Sequence, residues 1–525
     1  MKFVAGFSAG CTAGLIALTG AQAADLPTKA APVQYVKICN LYGAGFYYIP
    51  GTDMCIKVGG YVRSQAEWGS TNGIPAGTNN LPATGPNTIV NGLFNRASNN
   101  FNFTAKAALT VDARNQTEYG TVRGYISLGA QTVATGETSV FFADRAFIQF
   151  AGFTFGRAQS YFDIFTTTER YTYSDPRTSG DTYNYGWFVM AYTAMLGNGV
   201  SATVSAEAPR RFVGVIDGAG GGFGVNGTTT TDTAGFQMPD FVANLRIDQN
   251  WGYVGVSGAV HKVAGGYFGS AASTGFNVNT SHPGDKYGWA AGVGGMLNLP
   301  WLGARDSIGA GFVYSKGALG YVTKAGNWQI ADGNSIGVGW VADGIFDNVI
   351  PSAGPGTLAG QVPIQLTNAW NVNAAFEHFW NPWWRTSVYG GYTRVWYDQT
   401  ATNIAAQHLP TPPAGALACG SVVEGSVWPP VTLGNGAGNS CSPNFSFWQV
   451  GSRTQWNVSK DLYMGVDVTY THLNTAYKGV AVNPLTIFPG GATAMDDQNV
   501  WSGIFRMQYN FVPGNEGPDI AFYRR

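Results

Sequence analysis

Four carboxylates, Asp163, Glu169, Asp175 and Asp181, stand close together in the chain, with Arg170 and Arg177 between and beside them. Four acids against two bases leave this segment a net charge of −2. A separate set of bases, Arg63, Lys106, Arg123, Arg145 and Arg157, is dispersed ahead of it. These side chains do not form a set suited to bond chemistry. The five histidines, His261, His282, His378, His408 and His472, are scattered, and none lies in an H-E-x-x-H motif or near a G-x-S-x-G. The glycine run Gly218–Gly224 lacks the Lys-Ser/Thr of a phosphate-binding loop. No catalytic residue, metal or cofactor is therefore expected, and the chain does not read as an enzyme. Opposed carboxylates and guanidiniums can instead set up a transverse field across a narrow aqueous gap, the arrangement by which pores select solutes. That requires the acids on a loop and the bases on a wall facing it.

The elements able to hold such a wall are visible in the alternation. In 101–111, Phe101, Phe103, Ala105, Ala107, Leu109 and Val111 share one face of a strand, and Asn102, Thr104, Lys106, Ala108 and Thr110 share the other. Near the end, Trp501, Gly503, Phe505, Met507, Tyr509 and Phe511 oppose Ser502, Arg506, Gln508 and Asn510. One face suits lipid and the other water. Lys106 at mid-bilayer in lipid costs about 2–4 kcal/mol, which fixes the polar face inward. The same phase places Arg63, Arg123 and Arg145 inward, together with Tyr61 and Tyr125.

Sixteen strands are expected, at 56–68, 98–112, 118–132, 139–151, 153–158, 185–196, 199–207, 239–249, 252–264, 286–298, 305–317, 367–380, 384–397, 445–458, 461–474 and 498–511. Short turns (113–117, 250–251, 381–383, 459–460) alternate with long stretches (69–97, 159–184, 208–238, 265–285, 318–366, 398–444, 475–497), with 133–138 as the short exception. This predicts an all-β fold, an antiparallel transmembrane β-barrel with short periplasmic turns and long extracellular loops. Sixteen strands leave a wet channel, whereas eight would be filled by side chains. The 318–366 stretch is long enough for another hairpin, so eighteen strands remain open. Aromatics beside the turns, densest at Phe379-Trp380-Asn381-Pro382-Trp383-Trp384, fit an interfacial girdle.

Composition agrees. Charged residues are 11% of the chain, against roughly 25% in ordinary soluble proteins, and there are 73 glycines. The net charge of −1 argues against a nucleic-acid partner. Lys2, the apolar stretch Phe3–Leu18 and Ala21-Gln22-Ala23 read as an export signal cleaved after Ala23. Expected divisions are 1–23 signal, 24–55 N-terminal periplasmic-side segment, 56–511 barrel and 512–525 C-terminal extension. Cys39, Cys55, Cys419 and Cys441 remain after cleavage. They allow three pairings, and local spacing in non-strand segments favours Cys39–Cys55 and Cys419–Cys441. A metal site is the competing reading, disfavoured because no pair has C-x-x-C spacing.

Several segments carry a resemblance to a known family. Tyr35-Val36-Lys37-Ile38-Cys39, Tyr42 through Cys55, Gly59-Gly60-Tyr61-Val62-Arg63, Phe155 through Ser160 and Trp448 through Trp456 resemble the alphaproteobacterial, rhizobial-type general porins, over essentially the whole mature length. Gly180-Asp181-Thr182-Tyr183 is similar to the Gly-Asp-Thr stretch of the inward-folded loop in other general porins. The resemblance implies a bacterial outer-membrane homotrimer with a water-filled pore narrowed by the third long loop. Its partners are small hydrophilic solutes and ions, with outer-membrane lipid and lipopolysaccharide around it. On that reading Asp163, Glu169, Asp175 and Asp181 face a basic wall of Arg63, Lys106, Arg123, Arg145 and Arg157. The extension past Phe511 departs from the family, whose chains commonly stop at an aromatic closing the last strand. A substrate-specific channel for sugars, organic acids or polyamines is the alternative, and it calls for an aromatic slide along the lumen.

Overall fold

The computed structural model describes residues 37–71, 74–75, 101–134, 138–176, 179, 182, 186–210, 214–217, 233–266, 282–324, 328–332, 335–347, 362–407, 416–418, 432–434, 440, 442–482 and 492–511. Asp181, Arg177, Cys419, Cys441, the signal segment and the C-terminal extension lie outside them.

Sixteen antiparallel strands close into one barrel. They are β1 (Cys55–Trp68), β2 (Phe101–Thr117), β3 (Gly120–Val133), β4 (Thr138–Phe150), β5 (Phe153–Ala158), β6 (Trp187–Gly197), β7 (Val200–Glu207), β8 (Asp240–Gln249), β9 (Gly252–Val263), β10 (Lys286–Asn298), β11 (Ser307–Lys316), β12 (Asn368–Phe379), β13 (Trp384–Trp396), β14 (Phe445–Asn457), β15 (Leu462–Asn474) and β16 (Gln498–Asn510). Each pairs with its sequence neighbour, and β16 pairs back onto β1, with Tyr61 opposite Asn510 and Trp68 opposite Gly503. The expected strands coincide with these to within a few residues. The clearest difference is in β2, which runs through the expected turn 113–117 to Thr117. There Arg123 of β3 pairs across the ladder with Asp112 of β2, which also holds Arg114 of its own strand.

Alternation holds in three dimensions. Phe101, Phe103 and Leu109 are exposed on the outside, while Asn102, Thr104 and Ala108 are buried on the inside. Among the described residues no helix is long and apolar enough to cross a membrane. Stacked Trp384 and Trp456, with centroids 5.7 Å apart, mark the girdle at the short-turn rim. Trp289–Tyr314, Trp370–Tyr392 and Tyr470–Trp501, at 4.9 to 5.3 Å, mark it at the long-loop rim.

The extra hairpin expected in 318–366 exists, at Trp328–Asp332 and Ser335–Gly339, but it does not enter the barrel. It pairs with Ala492–Met495 from the last loop, within a separate six-stranded sheet. The strand count stays at sixteen. Trp328 lies against Phe447, and Trp340 lies edge-on to Tyr477. These rings join Leu319, Tyr321 and Phe162 in one apolar core, so the loops after β5, β11, β13 and β15 pack on one another. At the opposite rim, Cys39 is bonded to Cys55, the first residue of β1. A loop of this size stabilises by about 3 kcal/mol on the chain-entropy account. Phe46 packs beside the disulfide, and the Arg114 guanidinium sits over the Phe46 ring.

Candidate functional site: the loop inside the barrel

The segment joining β5 to β6, loop 3, turns into the barrel and lies against its inner wall. Hydrogen bonds trace its path. Asn244 of β8 donates to the Tyr161 carbonyl, and Ser257 of β9 donates to that of Phe162. The Tyr171 hydroxyl meets Ser307 of β11, and Ser387 of β13 donates to the Tyr171 carbonyl. Buried Asp467 of β15 accepts from Thr172 Oγ1 and from the Tyr173 amide, both at 2.6 Å, and also from the Tyr389 hydroxyl. Inward glycines make room for this course. A Cβ at Gly309 would sit 2.1 Å from the Phe165 ring. Part of the chain's high glycine content thus serves close approach of a loop to a sheet.

Glu169 is at the innermost turn. It adopts a left-handed backbone with φ 63°, uncommon for a non-glycine residue and found where surrounding contacts over-determine it. Those contacts are strong. Arg63 of β1 donates Nη1 and Nη2 to the two Glu169 oxygens at 2.9 and 3.0 Å, and Arg506 of β16 donates to Oε2 at 2.9 Å. Gln508 and Gln65 hold the two guanidiniums by their Nε atoms, each at 2.6 Å. Burial raises the Glu169 pKa, but the charges of Arg506 and Arg63 outweigh it and bring the group down to about 2.

Beside this clamp, Lys106 lies 3.5 Å from Asp144. Arg145 donates to the carbonyls of Asp144 and Thr182 at 3.0 and 3.4 Å. The register explains how neighbours 144 and 145 both reach this region. Ser127 faces Arg145 but Leu128 faces Ala143, so Asp144 is an inserted bulge residue. Bulges re-aim side chains in this way.

The other expected site residues are placed differently. Asp163 is buried, paired to Arg210 at 2.8 Å and accepting from the amide and hydroxyl of Thr182. It fastens the start of loop 3 to its end, away from the Glu169 clamp. Asp175 pairs with Lys324 of the loop after β11, at 2.7 Å. Arg123 is inward, but it is bound to Asp112 and Gln149 at the level of the disulfide, four residues along β3 from the partner of Arg145. Arg157 shares its register row with Ala146 and Phe188, both on the outer face, and its guanidinium lies over the Phe188 ring. The loop and wall thus bring together Glu169, Arg63, Lys106 and Arg145, with Arg157 at the edge of the group, its Cγ and Arg145 Nη1 both flanking Gly186, but not Asp163, Asp175 or Arg123. Arg506 and Asp144 were not singled out from sequence. Parity along β16 was the available signal for Arg506, and nothing signalled the bulge at Asp144. Further round the wall, Glu377 binds both Arg453 and Arg385, beneath the Tyr173 ring of loop 3.

A closed sixteen-stranded wall with a loop pinned across its inside is the architecture of a transmembrane pore. The sequence pattern of the porin subfamily matches residues 24–504. The chain belongs to this porin subfamily. It is 31% identical over 257 residues to porin Omp2b of Brucella abortus, covering 47% of this chain and 62% of that protein. Omp2b of Brucella canis gives 30% over the same length. The matched stretch thus spans less than two thirds of these relatives. The outer membrane channel DcaP of Acinetobacter baumannii shares the fold, with a TM-score of 0.51 at 14% identity over 88% of this chain and 99% of that one. The porin resides in the bacterial outer membrane.

Proposed function

We propose that this porin forms a water-filled channel for passive diffusion of small hydrophilic solutes and ions. Its narrowest part lies between the turn of loop 3 and the inner wall of β1–β4 and β16. The observation that carries this reading is Glu169 held by Arg63 and Arg506, which supports a fixed inward position for the loop. The charges gathered there are Arg63, Lys106, Arg145 and Arg506 against Asp144 and Glu169, four against two. In a poorly screened passage this excess favours small anions. Single-channel recording in planar bilayers tests the reading. An ohmic, unsaturated conductance is expected, and Arg145→Glu moves the reversal potential toward cation preference with folding nearly intact. A closed barrel, or a reversal potential indifferent to Arg145→Glu and to Asp181→Asn, sinks it.

Saturable passage of organic acids is a second reading, favoured by one feature. Tyr61, Phe142, Tyr125 and Phe147 on β1, β3 and β4 each lie beneath a cation: Arg63, Lys106 and, for the last two, Arg123. Conductance block that saturates with an aromatic carboxylate separates this reading from open diffusion. We also infer a homotrimer. The small outward residues Ser64, Ala66, Ala105, Ala107 and Ala130 on β1–β3 permit close barrel packing, and a complex of monomer mass in mild detergent excludes it.

A further inference from the structure

The stretch of inner wall behind loop 3 has almost no side chains. Gly255 of β9 stands opposite Gly294 of β10, and Gly294 stands opposite Gly311 of β11. Gly292 and Gly309 are the next inward positions on β10 and β11, one on either side of this row. Glycine weakens a strand, because it gives up more backbone freedom and packs no side chain. Where it recurs on one face, another backbone commonly approaches closely.

Loop 3 makes that approach. Phe162, Ile164 and Phe165 are buried against the patch. A Cβ on Gly294 would stand 3.0 Å from Phe165 Cβ and 3.2 Å from the Phe165 amide nitrogen. One on Gly292 would stand 3.3 Å from the Phe162 ring, and one on Gly255 3.2 Å from the Ile164 side chain. On Gly309 it would run into the Phe165 ring. The space left behind the loop is a cavity of about 20 Å³, lined by Phe162, Ile164, Ser257 and Gly311 among others. That is room for one water. Solutes are therefore confined to the other side of loop 3, toward β1–β4. Strand β10 lies half-way round the barrel from β2. Any thickness added to the wall behind the loop is thus taken from the passage in front of it.

We propose that this glycine patch is the size-determining element of the channel. It recesses loop 3 by the depth of a side chain and so fixes the largest neutral hydrophilic solute that passes. The charges around Glu169 act on the sign of an ion, and the glycines act on the bulk of any solute. The inference rests on the diffusion reading above.

The test uses the full chain in liposomes, with entry of neutral mono-, di- and trisaccharides read by swelling. Conductance and reversal potential are recorded in planar bilayers. The series Gly294→Ala, Gly294→Val and Gly294→Leu is expected to lose trisaccharide entry first and disaccharide entry next, in order of side-chain size. Conductance falls in the same order, and the reversal potential stays put. Gly309→Leu acts likewise, and adding Phe165→Ala restores entry, because the new side chain takes the space that the ring leaves. Gly124→Ala, on the outward face of β3 with nothing within 4 Å of its Cβ, changes nothing. Should Gly294→Leu not fold, Gly294→Ala carries the test, since loop 3 need give only a few tenths of an ångström there. A saccharide limit unchanged across the folded glycine variants overturns the inference and leaves the channel reading standing. So does a limit that Phe165→Ala fails to restore in Gly309→Leu. Unsubstituted protein that admits no saccharide sinks the channel reading and this inference with it.

Discussion

The two halves of the inner wall are built from the same alternation and have different fates. From β8 to β15, loop 3 and the extracellular loops cover the wall, and polar residues such as Asn371, Ser387, Gln449, Asp467 and Thr469 are buried. From β1 to β4 the wall is bare below the clamp, and Lys106, Arg123 and Arg145 keep part of their surface in the lumen. The covered half resembles a protein interior, where a lost partner is expensive. The bare half resembles a charged surface, where it is cheap but shapes the field. An inward base is therefore structural or functional according to which half it occupies.

Breaking the clamp has the largest expected effect. Glu169→Gln leaves Arg63 and Arg506 facing each other without a carboxylate, and removing one partner of a buried pair costs on the order of 3 kcal/mol. The midpoint of urea unfolding in detergent falls, and single-channel noise rises as the turn of loop 3 is released. An unchanged midpoint with quiet channels contradicts the clamp. The next comparison sets Arg453→Gln against Lys106→Gln. The first, in the covered half, lowers the unfolding midpoint and leaves the reversal potential nearly unchanged. The second, in the bare half, costs about 0–1 kcal/mol and moves the reversal potential toward cations. Indistinguishable results for the two remove the distinction between halves.

The smallest effect concerns pH. Glu169 is depressed to about 2, below its ordinary value of about 4.3. Its ion pair contributes fully above the ordinary value and is lost as pH falls through about 2. The quiet, low-noise channel that the docked loop gives is thus expected to persist from pH 7 to about 4 and to be lost only near 2. A transition at pH 5 means that another carboxylate controls the loop.

Much of this molecule was legible in its sequence, and for a physical reason. A strand between lipid and water must alternate, and a turn between such strands must be polar, so segments like 101–111 and 498–511 declare both their existence and their inward face. The candidate site was less legible. Glu169 was named among four acids, but nothing in sequence distinguishes it from Asp163, whose partner Arg210 lies in the next loop. Strand parity gave Arg123 its face but not its partner Asp112. Arg157 stands where the inward loop opens, and its parity with Phe153 and Phe155 turns its side chain outward. Asp144 defeats parity altogether, because one inserted residue resets the alternation.

Glu169 bonds to Arg63 on the first strand and to Arg506 on the last, the two strands whose pairing shuts the cylinder. Its carboxylate therefore straddles the seam. Docking the turn of loop 3 and completing the wall are consequently one event in assembly. While the first and last strands stand apart, the acid has at most one of its two partners. A half-inserted chain thus lacks its full clamp, and the finished clamp certifies that the cylinder is whole.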